Sequence, residues 1–157
     1  MSTRVFPKWD QLPELDLYLD QVLLYVNQLT STSANSNDKG LTASMINNYV
    51  KHGHIEKPLK KKYSRQQIAR LIVITSLKNV FAIQEISQTL AILTQNQQSQ
   101  AMYNAFVACM NDEPSENIPQ VIVTACQTLK LYHKTHQLVL ELEGNQENEP
   151  NTQLKTE

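Results

Sequence analysis

Glycine is almost missing from this chain, with three residues in 157, at Gly40, Gly53 and Gly144. Sheet-rich and α/β folds use glycine for left-handed turns and close backbone approaches, so its scarcity argues against both. Leu, Gln, Ala and Lys are plentiful and run in long stretches without proline, the composition of a mostly helical protein. An all-α fold is expected, as one compact domain or a small domain with an extension.

Apolar spacing places the helices. Leu15, Leu19, Val22, Val26 and Leu29 recur at steps of three and four and predict a helix over 15–29, with Asp16 and Asp20 near its positive end. Residues 1–13 read as an irregular lead-in that Phe6, Trp9 and Leu12 can pin to the body. The polar run Ser31 to Gly40 reads as a mobile loop. Thr42 is a suitable N-cap, and Gly53 a suitable stop, for a helix over 43–52 with the stripe Met45, Ile46, Tyr49 and Val50. Glu56 to Tyr63, with Pro58 and a triple lysine, reads as an extended, solvated connection.

Ser64 and Gln67 form a capping box before Ile68, Leu71, Ile72, Ile74, Thr75 and Leu77, the clearest buried helix, which ends near Asn79. Further helices are predicted over 83–94, 98–110 and 118–142. Pro119 is tolerated in the first turn of the last one, and Gly144 ends it. The polar tail 144–157 is expected to be disordered.

Net charge is −1, but the cations are not evenly spread. Lys51, Lys57, Lys60, Lys61, Lys62, Arg65, Arg70 and Lys78 are eight of the fourteen Lys and Arg residues, and they fall between Leu41 and Ile86. Only Glu56 and Glu85, of fifteen acids, share that stretch. Positive charge gathered beside a short polar-faced helix is the footprint of a phosphate-backbone binder. Helix, turn, helix, basic connector, helix is also the order of a helix-turn-helix module with a short wing, in which one helix enters a major groove.

The string LTASMINNYVKHGHI resembles the second helix of the MerR-type winged-helix regulators, with Leu41, Thr42, Ile46, Tyr49, Gly53 and Ile55 on family positions. KKYSRQQIARLIVI is similar to that family's basic-x-Tyr-Ser entry into its third helix. NVFAIQEI is similar to the following turn, through Phe81, Ile83, Glu85 and Ile86. WDQLPELDLYLDQV (Trp9 to Val22), INNYVKHG and KKKYSR resemble more closely an uncharacterised bacterial family catalogued only as a domain of unknown function, a likeness reaching to about Leu93. The resemblance implies a MerR-like DNA-binding fold and lends no established activity. Three features depart from the MerR pattern. Asn47 stands where that family carries a phosphate-binding arginine, the Ser31 to Gly40 loop replaces a tight turn, and the wing lacks a glycine-rich tip.

The expected organisation is a MerR-like helix-turn-helix domain over 15–95, a C-terminal helical region over 96–143 for packing or dimerisation, and the tail. The expected function is sequence-specific binding of double-stranded DNA as a transcription regulator. Ser44, Asn47, Asn48 and Lys51 are placed near bases, since Asn pairs bidentately with adenine and Lys reaches guanine or phosphate. Thr42, Tyr49, Lys60, Lys61, Lys62 and Arg65 are placed near phosphates. The rival class is a protein-interaction adaptor that keeps the fold without binding DNA. A third is a ligand-gated regulator with a pocket near Met102, Tyr103, Phe106 and Tyr132.

Other constellations weigh less. His52 and His54 flank a helix-breaking glycine, so nothing fixes their geometry for a metal. Cys126, His133 and His136 share a helix face that Cys109 can approach, but two thiols outside a tight motif are more often small buried hydrophobes. No cofactor or metal is implied. Ile118, Ile122, Ala125, Leu129, Tyr132, His136 and Val139 alternate by four and three, which suits both a core helix and a homodimer seam within 118–142. Nucleophile elbow, phosphate loop, zinc-hydrolase motif and clustered carboxylate pair are all lacking, so an enzyme is not expected. No apolar run has bilayer length, and MSTRVFPKWD has no secretory core. The expected setting is the cytoplasm, with reduced thiols and no membrane partner.

Overall fold

A computed structural model describes residues 5–31 and 40–148. The described chain is mostly helical: β1 (Leu17–Tyr18), α1 (Leu19–Thr30), α2 (Ala43–Lys51), β2 (Lys62–Tyr63), α3 (Arg65–Leu77), α4 (Ile83–Leu93), α5 (Ser99–Met110) and α6 (Gln120–Asn148). The expected loop over 31–40 falls, for residues 32–39, outside the described residues, as does the tail from 149.

Helix α3 is the axis of the molecule. Ile68, Leu71, Ile72 and Ile74 are wholly buried, each contributing about 1.5–3 kcal/mol relative to an exposed side chain. It packs against α1, α4, α5 and α6. Its start is held by Gln67, whose Oε1 accepts the Ser64 amide at 2.7 Å, while Nε2 donates to the carbonyls of Glu56 (2.9 Å) and Lys57 (3.3 Å). One buried side chain thus closes the helix start and ties the preceding connector to it.

Two expectations for the N-terminal third are corrected. The helix predicted over 15–29 begins at Leu19, because Leu17 and Tyr18 pair antiparallel with Tyr63 and Lys62. Leu15 is exposed, and Asp16 lies outside the helix, which leaves Asp20 alone in its first turn. The connector expected to be extended closes instead into a hairpin, with Leu59 and Lys62 exchanging backbone hydrogen bonds at 3.2 and 2.9 Å.

The lead-in is pinned as its aromatics suggest, and its anchor is α5. Phe6 exchanges backbone hydrogen bonds with the Asn111 side chain at 2.9 and 3.0 Å, and the Trp9 amide donates to Asn104 Oδ1 at 2.9 Å. The Tyr103 hydroxyl donates to the Pro7 carbonyl at 2.7 Å, and edge-to-face pairs Phe6–Phe106 and Trp9–Tyr103 complete the seam. The buried residues form one cluster from Leu12 to Leu129, so the core runs without a break through position 95.

The last helix also differs from its predicted span. It starts at Gln120 rather than 118 and passes through Gly144 to Asn148. A Cβ built at Gly144 meets nothing within 4 Å, so no packing demands a stop there. Glycine costs about 1 kcal/mol within a helix, and neighbours such as Leu142, Glu143 and Gln146 offset it. Ile122, Cys126 and Leu129 bury one side of the first half. Beyond Lys130 the helix is mostly exposed, at Leu131, Leu138 and Leu142 among others, while His133 stays half-buried.

Candidate nucleic-acid interface

Helix α2 is amphipathic over barely two and a half turns. Thr42 caps it, its Oγ1 accepting the Met45 amide at 3.2 Å, and Gly53 ends it at φ +77°, where a Cβ is disfavoured. Ile46 and Tyr49 are buried, which fixes the rotation of the helix. The opposite face is then set by the helical repeat. Ser44, Asn47, Asn48 and Lys51 are all exposed and, with Met45, line one open surface depression. The four residues placed near bases are thus brought together. Asn48 also accepts, through its carbonyl, the His52 amide at 3.0 Å and lies 2.9 Å from His52 Nδ1.

The residues placed near phosphates divide. Lys60 and Lys61 are exposed and occupy the two central positions of the hairpin turn, at φ 51° and 66°. Two successive positive φ values are the signature of a type I′ turn, which ordinarily takes Asn-Gly. Here two lysines sit at the tip in a backbone region that side chains disfavour. Lys62 is half-buried, its Nζ 5.1 Å from the centroid of the Tyr18 ring. Thr42 spends its oxygen on the cap and keeps its hydroxyl hydrogen as a donor.

Tyr49 and Arg65 are corrected. Tyr49 is 5 % exposed, burial raises its pKa, and its ring packs edge-on against His54, so it is a core residue rather than a phosphate contact. Arg65 is turned toward the lead-in, where Nη2 donates to the Leu12 carbonyl at 3.3 Å and Nε is buried without a partner.

Sequence reasoning gave no role to Arg70 beyond its charge, yet it straps the end of α2 to the body. Its Nε donates to the His54 carbonyl at 2.7 Å and its Nη2 to the Ser87 carbonyl at 3.5 Å, with burial lowering its pKa. Its guanidinium is therefore engaged inside the protein, on two backbone carbonyls. His52 and His54 stack, centroids 6.1 Å apart; burial first, then His52 and Arg70, lower the His54 pKa. Such a stack sets the two rings face to face rather than converging them on one ion.

The C-terminal constellation is separate. Cys126 is buried, lies 3.8 Å from the Phe106 carbonyl, and burial with neighbouring Cys109 pushes its thiol up to about 12, the behaviour of an inert core thiol. His133 is half-buried and His136 exposed. Among the described residues no group of three or more His, Cys, Asp or Glu side chains converges on a metal position. No described helix is long and apolar enough to cross a membrane.

A family model described as "Domain of unknown function (DUF1836)" matches residues 7–106, well over half of the chain. That span runs from the lead-in through α2, the lysine hairpin and α3 into α5, and so contains every residue of the α2 face. No curated protein and no solved structure matches the chain.

Proposed function

The chain belongs to the family described as "Domain of unknown function (DUF1836)", and on that footing we propose that it binds double-stranded DNA sequence-specifically as a transcription regulator. The observation that carries this reading is the α2 face. A capped helix buries one side and turns two amides, a hydroxyl and an ammonium outward over a single patch. Amide and lysine side chains on an exposed helix are the groups that read major-groove edges.

The strand, helix, helix, hairpin, helix order supports a MerR-like winged-helix arrangement, with the Lys60–Lys61 tip as a minimal wing. Phosphate contact then falls to Lys57, Lys60, Lys61 and Lys62, since Arg70 and Arg65 are engaged internally. The exposed Leu131, Leu138 and Leu142, spaced seven and four apart, support a homodimer through the outer half of α6. A two-fold dimer presents two α2 faces to paired half-sites. The role is binding rather than catalysis, in the cytoplasm.

Crosslinking the protein to DNA in cells and recovering the bound fragments tests the reading. A shared sequence motif is expected with the unaltered chain, and its enrichment is expected to vanish for Asn47→Ala/Asn48→Ala. Recovery of no enriched fragment, or equal enrichment for the variant, favours the adaptor reading.

A further inference from the structure

Between α3, α4, α5 and α6 lies a half-open cleft of about 130 Å³, whose floor is Leu77, Ile86, Leu90, Met102, Phe106 and Ile122. Apolar cavities of roughly 150 Å³ stay dry and accept a single aromatic ring. The cleft is therefore the right size for one ring or a short branched alkyl group, and too small for a helix or peptide. At its edge the lining changes character, with Glu85 and Thr89 one turn apart on α4. The Glu85 carboxylate makes no ion pair or hydrogen bond among the described residues. Its place in the first turn of α4 favours the helix dipole, but that role does not require an apolar cleft beside it.

We propose that this cleft is a binding site for a small amine with an apolar body, the ring or alkyl group on the apolar floor and the ammonium against Glu85 and the Thr89 hydroxyl. The occupant is assigned by charge complementarity. An apolar floor alone takes any hydrophobe, whereas an unpaired carboxylate at its rim repels organic acids and favours organic cations. This site is independent of the DNA reading, and its binding is measured on the protein alone.

The test uses the full chain with benzylamine, benzyl alcohol and benzoate as probes, followed through the methyl resonances of Ile86, Leu90 and Ile122. Saturable shifts with benzylamine are expected, with weaker binding of the alcohol and the weakest of benzoate. Glu85→Gln, on an exposed turn where folding is not at stake, is expected to weaken benzylamine roughly fivefold and leave the alcohol unchanged. Absence of saturable shifts at these methyls with any probe overturns the site. Equal affinities for the three probes, or an unaltered benzylamine affinity in Glu85→Gln, overturns the assignment of an amine.

Discussion

Asn27 holds Leu41 by both of its backbone groups: Nδ2 donates to the Leu41 carbonyl at 2.9 Å, and Oδ1 accepts the Leu41 amide at 2.8 Å. The pair fixes the backbone just ahead of α2, and so where the α2 face begins. Gly40 is part of the same device, at φ +69° and so close that a Cβ would stand 2.4 Å from Asn27 Oδ1, a clash. Gly40→Ala is expected to cost about 2–4 kcal/mol, combining backbone strain with loss of the clamp, and Asn27→Ala about 2 kcal/mol. Urea unfolding measures both.

On the DNA-binding reading, the lysine hairpin sets stability against binding. Lys60 and Lys61 hold positive φ, which costs on the order of 1 kcal/mol per non-glycine residue. Replacing them with Asn and Gly, the residues that a type I′ turn prefers, is expected to raise stability by about 1 kcal/mol. The same exchange removes two exposed cations and is expected to weaken DNA binding. A variant both more stable and equally tight on DNA would detach the tip from the interface.

Much of this arrangement is readable from local chemistry. Thr42, Gly53 and the Ser64–Gln67 pair delimit α2 and open α3 as their capping preferences suggest, because caps act within a few residues. The outward set Ser44, Asn47, Asn48 and Lys51 follows from the 3.6-residue repeat once Ile46 and Tyr49 are inside. What escaped the sequence is long-range. Leu17 and Tyr18 continue an apolar helical pattern, and only pairing with Tyr63 and Lys62, over forty residues away, makes them a strand. Arg70 looked like a surface cation because its partners are backbone carbonyls, which carry no residue signature. Gly144 looked like a stop, but stopping a helix there needs a turn or a contact that the surroundings do not supply.

Acidification should weaken the fold through two histidines. His54 and His133 are both held below the ordinary value of 6.5, by burial first and then by neighbouring positive groups, His52 and Arg70 for His54 and His136 for His133. Well above that value neither ring is protonated in either state, and they add no pH dependence. As pH falls through 6.5 the unfolded chain takes up protons that the folded chain resists, so stability declines until the folded-state values are passed. Urea midpoints are expected to drop on acidification, and to drop less in His54→Asn and His133→Gln.

The outer half of α6 gives a prediction separable from the core. Leu131 and Leu138 are 65 % and 47 % exposed, so Leu131→Asp/Leu138→Asp is expected to change protomer stability by about 0.5 kcal/mol or less. On the dimer reading the same pair of changes converts the protein from dimer to monomer in sedimentation equilibrium. Unaltered sedimentation would remove this face from the proposed assembly.

The central claim, that α2 and the lysine hairpin form a DNA-binding surface, is tested most directly by fluorescence anisotropy on recovered or genomic duplexes across a range of salt. Four lysines on phosphates imply a log–log slope of about −4, and Lys60→Glu/Lys61→Glu is expected to flatten it by roughly 2 while lowering affinity at every salt concentration. Binding that is undetectable, indifferent to salt, or unaltered by the two charge reversals would contradict the account.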